Sequence, residues 1–281
     1  MKTTSEPRRA YRPTAAAPRR ADRPRARRLI PILVLVVLGS LVASIEWVGS
    51  GAGWRLIRAL PGGLAAPDNW RTVYSDQFDS SLDDNWWRYS GPSTASKAAF
   101  DPQNVSIRDG CLILTSRKSP NADWAGAGVG SRTSLTYGRW IVRARIDRGA
   151  GTTLVALLWP ENNSAPPEID FAEDNGGDRS MISWSLHSSG EQDQLHREIP
   201  IDIQDFHTYS VEWTPGLLQF RVDGQLWGTV KGNRVPDQPM WLALQTEPWV
   251  TGTTWERPID GTTPDAVNMY VDAVEIQEYV R

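Results

Sequence analysis

A single cysteine, Cys111, in 281 residues rules out an intrachain disulfide. It opens an apolar run directly after Asp109-Gly110 and reads as a small buried hydrophobe, not as a reactive thiol. Only three histidines are present, His187, His196 and His207. They lie too far apart to form a recognisable zinc-ligand set. The chain also lacks any stretch beyond its N-terminal region in which apolar residues keep a 3.6-residue period long enough for a major helix. No internal repeat appears. What remains is ordinary for a folded protein, 40% apolar and 22% charged, which excludes disorder over most of the length.

Positive charge is concentrated at one end. Residues 1–28 hold ten Lys or Arg side chains against Glu6 and Asp22, which leaves 20 basic against 31 acidic residues in the rest. So acidic a body repels phosphate backbones, and nucleic acid is not an expected partner. The first 28 residues read as a basic, disordered cytoplasmic tail. Leu29 to Ile45 is an apolar run interrupted only by Pro31, Gly39 and two serines, long enough for a membrane-spanning helix. With the basic flank before it and Glu46 after it, the positive-inside bias places the remainder outside the cytoplasm. Residues 29–48 are therefore expected to be a transmembrane signal anchor, or a signal peptide cleaved near Val42-Ala43-Ser44. In the first case the protein is a single-pass membrane protein; in the second it is secreted. Residues 49–68 form a linker, and residues 69–281 a single domain expected to act as a monomer.

Within that domain short apolar or alternating runs are separated by turn residues. The runs are Asn104–Ile107, Cys111–Ser116, Arg139–Ile146, Thr152–Trp159, Ile169–Ala172, Met181–Leu186, Thr208–Trp213, Leu218–Val222, Met240–Gln245 and Met269–Tyr279. Asp109-Gly110, Pro215-Gly216 and Asp223-Gly224 are tight-turn signals. The pattern predicts an all-β sandwich or barrel. Fourteen tryptophans supply core volume and also suit a cleft in which indole faces pack on pyranose rings.

The segment Pro167-Glu168-Ile169-Asp170-Phe171-Ala172-Glu173 carries the chemistry. In a regular strand Glu168 and Asp170 share one face, and Glu173 falls on the other. A single-residue bulge after Asp170 would return Glu173 to the face of the other two acids. Three carboxylates on one face repel one another and serve no folding purpose. Retaining glycoside hydrolysis needs such a pair, Glu168 as nucleophile and Glu173 as proton donor, with Asp170 between them splitting their pKa values. A solvated acidic edge strand or a calcium site is the alternative.

Here the chain resembles glycoside hydrolase family 16, laminarinase-like enzymes with a jelly-roll, concanavalin A-like β-sandwich. Glu168-Ile169-Asp170-Phe171-Ala172-Glu173 matches the bulged motif E-x-D-x-x-E of that family. Val73 to Phe78 looks like its opening strand, and Tyr270-Val271-Asp272 like its closing one. Tyr137-Gly138 through Arg143 resembles its Y-G-x-[FY]-E-x-R segment, whose Glu and Arg contact substrate. Asp205 to Trp213 and Phe220 to Gly224 are similar to its D-F-H-x-Y-x-x-x-W and F-x-x-D-G run. The resemblance implies an endo-acting glycosidase of a β-linked polysaccharide, with transglycosylation on the same site or non-catalytic carbohydrate binding as alternatives. It requires no cofactor for catalysis. It also implies catalytic Glu168, Asp170 and Glu173, a substrate-binding Arg143, and a structural calcium held by Gly110 and Asp272.

The departures are instructive. Ile141 replaces the family's substrate-binding Glu, and Thr153 and Leu157 stand where Trp is common. Trp159 is expected to substitute as the sugar platform. Gln245 is expected to take the role of a family Asn, and Glu247 to add a charge. His187 falls where many family members carry an active-site histidine. His207 reads as structural, His196 as solvated and Trp184 as core. Trp124, Trp249 and Trp255 are left open between loop packing and subsite lining.

Overall fold

The computed structural model describes residues 69–93, 95–188 and 194–281. The basic tail, the apolar run and the linker lie outside the described residues. Among the described residues no helix is long and apolar enough to cross a membrane. The one helical turn there is Pro102–Asn104, capped by the Asp101 side chain accepting from the Gln103 amide.

The expected all-β sandwich is present. One sheet runs Trp86–Arg88, Trp124–Leu135, Met240–Thr246, Val155–Pro160, Glu168–Glu173, Met181–His187 and Gln194–Pro200, each antiparallel to the next. The facing sheet is built on the long strand Ala266–Tyr279. That strand pairs on one side with Cys111–Lys118 and Trp70–Asp76 and on the other with Gly138–Ile146. Beyond Gly138–Ile146 follow His207–Thr214, Leu217–Val222 and Gln225–Lys231. Two of the predicted turns are built as expected: Asp109 and Gly110 have φ of 55° and 72°, Asp223 and Gly224 of 49° and 77°. Such left-handed pairs match the right-handed twist of the strands they join.

The core lies between the sheets. Alternation along Gly138–Ile146 sends Trp140, Val142, Ala144 and Ile146 inward. They meet Leu158, Ile169, Phe171, Leu186, Leu242 and Leu244 from the cleft-bearing sheet. Trp184 is buried and lies parallel to Phe220, ring centres 4.4 Å apart, in line with its expected core role. His207 is tied to Asp223 at 2.7 Å and to the Asp202 carbonyl at 3.0 Å, a structural role as expected. Cys111, in contrast, is only half-buried, because it starts its strand at the hairpin edge.

Candidate active site

The bulge is where the sequence requires it. Asp170 pairs with Ser185 and Glu173 with Ser183, so three steps on one strand oppose two on its neighbour. The other neighbour shows the same slip, Asp170 against Leu157 and Glu173 against Val155. Phe171 and Ala172 consequently both enter the core, and Glu168, Asp170 and Glu173 all line the outer face of the sheet. The apolar pair anchors the bulge: exposing either residue would forfeit core burial.

The strand end is clamped from behind. Asp174, next to Glu173, accepts from the Leu154 amide at 2.6 Å and the Gly176 amide at 3.1 Å. It also meets the guanidinium of Arg179 at 2.5 Å, with both side chains almost fully buried. Arg179 further donates to the carbonyls of Asp147, Gly149 and Thr152 and to the Thr152 hydroxyl. A buried guanidinium with this many partners is a satisfied charge, and it fixes the loop that carries Glu173.

Burial is the first cause that pushes the Glu168 and Glu173 carboxyls well above the usual range, and Asp170 is the second. Three acids in so dry a place cannot all ionise, so the cluster retains a proton at neutral pH. His187 Nε2 lies 3.2 Å from Asp170 Oδ2. That hydrogen bond raises the histidine pKa, and burial partly opposes it.

The cleft has two continuous parts. A region of about 580 Å³ holds the three acids with Ser185, His187, His196, Trp255 and Glu256. A region of about 650 Å³ shares Glu168, Gln245 and Glu247 with it and is walled by Trp87, Tyr89, Phe100, Trp159 and Trp241. Trp87 meets Trp241 edge-on at 4.7 Å, and Tyr89 meets Phe100 at 5.2 Å. Glycines make room for this wall. A Cβ on Gly128 would stand 2.4 Å from Tyr89 Cδ2, and one on Gly130 2.3 Å from Trp87 Cζ2. Gln245 Nε2 donates to Glu247 Oε1 at 2.8 Å, and Ser93 donates to Glu247 Oε2 at 3.0 Å. Glu247 is buried, and that burial raises its pKa against the pull of Ser96 and Ser93.

Of the residues singled out from sequence, Glu168, Asp170, Glu173, Trp159, His187, Gln245 and Glu247 converge on this cleft. Arg143 does not. Its strand belongs to the opposite sheet, and alternation turns its side chain to that sheet's outer face. There it meets Asp272 at 2.7 Å and stacks over Phe206 at 4.5 Å. The calcium site expected at Gly110 and Asp272 is not confirmed: Asp272 pairs with Arg143 through Oδ2. Among the described residues no group of three or more His, Cys, Asp or Glu side chains is placed to hold a metal.

Several cleft residues escaped the sequence reading. His196 is exposed, as expected, but it also lines the cleft, its Nδ1 2.9 Å from Ser185 Oγ. Trp249 and Trp255 line the cleft, whereas Trp124 merely starts a strand. Trp255 donates to Glu198 at 2.7 Å and packs edge-on against His196. Trp87, Tyr89 and Trp241 had no signal of their own. The Gly126, Gly128, Gly130 alternation was the usable clue, since glycines on one strand face mark close approach by another group.

Comparison with known proteins agrees with this geometry. The model of the family described as "Glycosyl hydrolases family 16" matches residues 93–266, more than half of the chain. A beta-glucanase of Rhodothermus marinus is 26% identical, over 75% of this chain and 86% of that protein. A beta-glucanase of Acetivibrio thermocellus is 27% identical over 66% of this chain, which spans 57% of that protein. Among solved structures, the laminarinase catalytic domain of Thermotoga maritima superposes with a TM-score of 0.67 at 23% identity. The match covers 75% of this chain and 99% of that one. The laminarinase of Rhodothermus marinus gives 0.66 at 25% identity, over 75% and 98%. With the bulged carboxylate strand seated in an aromatic cleft and the family model spanning it, this chain belongs to glycosyl hydrolase family 16 and is a glycosidase.

Proposed function

We propose that the protein is a retaining, endo-acting hydrolase of a β-linked polysaccharide of the β-glucan type, with Glu168 as nucleophile and Glu173 as acid/base. One observation carries this reading: the bulge after Asp170 brings both glutamates and Asp170 onto one wall of an open aromatic cleft. A cleft of this size with an aromatic wall suits a stretch of polysaccharide, and the beta-glucanase relatives support the substrate class.

In this reading Glu173, half-buried and surrounded by acids, holds the proton and delivers it to the departing glycosidic oxygen. Glu168 attacks the anomeric carbon as that bond breaks and forms a glycosyl ester. Glu173, now ionised, takes a proton from water. The hydroxide so generated attacks the same carbon and frees Glu168, giving net retention. Asp170 hydrogen-bonds Glu168 and is itself held by His187. It holds the Glu168 carboxyl in place for attack and again when hydrolysis of the ester frees it. Positive charge developing on the sugar ring is stabilised by the surrounding carboxylates. The basic tail and the apolar run Leu29 to Ile45 support an extracytoplasmic site of action.

The test uses the full chain on a panel of β-linked polysaccharides, with Glu168→Gln and Glu173→Gln beside it. New reducing ends from the parent, reduced by about 10³-fold or more in both variants, with a first-formed β-anomer by NMR, support the proposal. A first-formed α-anomer overturns retention. Binding without cleavage by all three proteins overturns the catalytic assignment.

A further inference from the structure

Glu247 stands buried in the cleft, and its surroundings give it a specific task. A carboxylate only accepts hydrogen bonds. The bond from Gln245 at 2.8 Å therefore fixes which end of that amide faces Glu247. The Gln245 NH₂ is committed to the carboxylate, which leaves its carbonyl oxygen on the side away from Glu247. Ser93 holds the other carboxylate oxygen at 3.0 Å, so Glu247 cannot swing away without leaving a buried acceptor unsatisfied. Both residues lie in the part of the cleft that joins Glu168 to the aromatic wall. No Lys or Arg is among the described residues lining either part.

We propose that Glu247 is a positioning and specificity-determining residue: it locks the Gln245 carbonyl toward the subsite beside Glu168, so that this subsite takes only an uncharged sugar unit with a free hydroxyl to donate. A unit whose hydroxyl is replaced by an anionic group meets an acceptor where it needs a donor, and a carboxylate behind it. Such mismatches discriminate strongly, because both partners are left without a hydrogen bond. The inference rests on the hydrolase reading above and goes beyond it in naming the substituent pattern the site selects.

The experiment compares the full chain with Glu247→Gln on a neutral soluble β-glucan and on the same glucan carboxymethylated. The parent should strongly prefer the neutral polymer. In Glu247→Gln the amide of Gln245 is free to turn. KM for the neutral glucan should rise about tenfold with kcat within about threefold, and the preference for neutral over carboxymethylated polymer should fall about tenfold or more. An equal fall of kcat/KM on both polymers, or no change on either, overturns the inference. If Glu247→Gln does not fold, Gln245→Met removes the same acceptor and must lower the preference likewise; an unchanged preference overturns the inference. If the parent cleaves neither polymer, the hydrolase reading fails separately. Tryptophan-fluorescence titration with the two polymers then decides: an unchanged binding preference in Glu247→Gln overturns the positioning role.

Discussion

His187 Nε2 reaches Asp170 Oδ2 across 3.2 Å, joining adjacent strands on the floor of the cleft. Asp170 is thereby held from one side by a histidine and from the other by Glu168.

This pair should leave a signature in the pH dependence of stability. The His187 pKa is raised above its ordinary 6.5, first by the Asp170 hydrogen bond. A group with a raised folded-state pKa contributes stability that is fully present below its unfolded value and is lost as pH rises through the folded one. His187→Gln should therefore unfold below the parent at pH 5.5, with the gap in Tm shrinking toward pH 9. A gap that stays constant with pH would contradict the pairing.

For the carboxyls the sign is the same, because their folded-state pKa values are raised as well. Glu173 has a folded pKa well above its ordinary 4.5, so the folded state binds the extra proton and loses stability as pH climbs above 4.5. Glu173→Gln should melt about 2–4 °C above the parent at pH 8, the equivalent of about 1 kcal/mol in a domain of this size. At pH 4 the two should converge. Calorimetry at the two pH values checks this, and equal Tm at pH 8 would count against a strained carboxylate.

Gly130→Ala should damage binding before it damages folding. The new Cβ would stand 2.3 Å from Trp87 Cζ2, so the indole must leave the wall it shares with Trp241. KM on the preferred polysaccharide should rise about tenfold, with kcat changed less than about threefold. Circular dichroism should still report an intact sheet structure.

Arg143→Ala should leave hydrolysis within about twofold of the parent, since its side chain sits on the far sheet against Asp272 and Phe206. The half-exposed pair and its stacking contact together contribute about 1 kcal/mol. Tm should fall by about 2–4 °C. A large loss of activity at unchanged Tm would restore a substrate role for this residue.

Arg179→Met should cost about 3–5 kcal/mol, because it strands the buried Asp174 carboxylate and three carbonyls at once. Urea denaturation at neutral pH measures it directly.

Much of this site was legible in the chain because its information is local. The order of acids along one strand, with two apolar residues between Asp170 and Glu173, already specifies a bulge. The apolar alternation of Gly138–Ile146 specifies which side chains reach the core. The same alternation places Arg143 on the outside, but which sheet that outside belongs to depends on pairing with Ala266–Tyr279 and His207–Thr214, partners far away in sequence. Strands without apolar alternation were missed for a different reason. Trp124–Leu135 is rich in glycine because aromatics from elsewhere lie on it. Gln194–Pro200 is a mostly exposed edge strand, charged as exposed edges tend to be. His196 was hidden for that reason: in a charged run a cleft residue looks like solvent-facing polarity.

The slip at Phe171-Ala172 can also be considered as a matter of parity. Removing one residue between Asp170 and Glu173 would restore plain alternation and still leave all three acids on the same side. Either an even interval without a bulge or an odd one with it delivers the same three side chains to the sugar. Inserting or deleting a single residue here changes where the two apolar anchors go, and the sheet absorbs that change within two residues because Ser185 and Ser183 remain consecutive same-face positions on the neighbouring strand. The chemical face of this strand is thus buffered against a change in length that would invert an ordinary one.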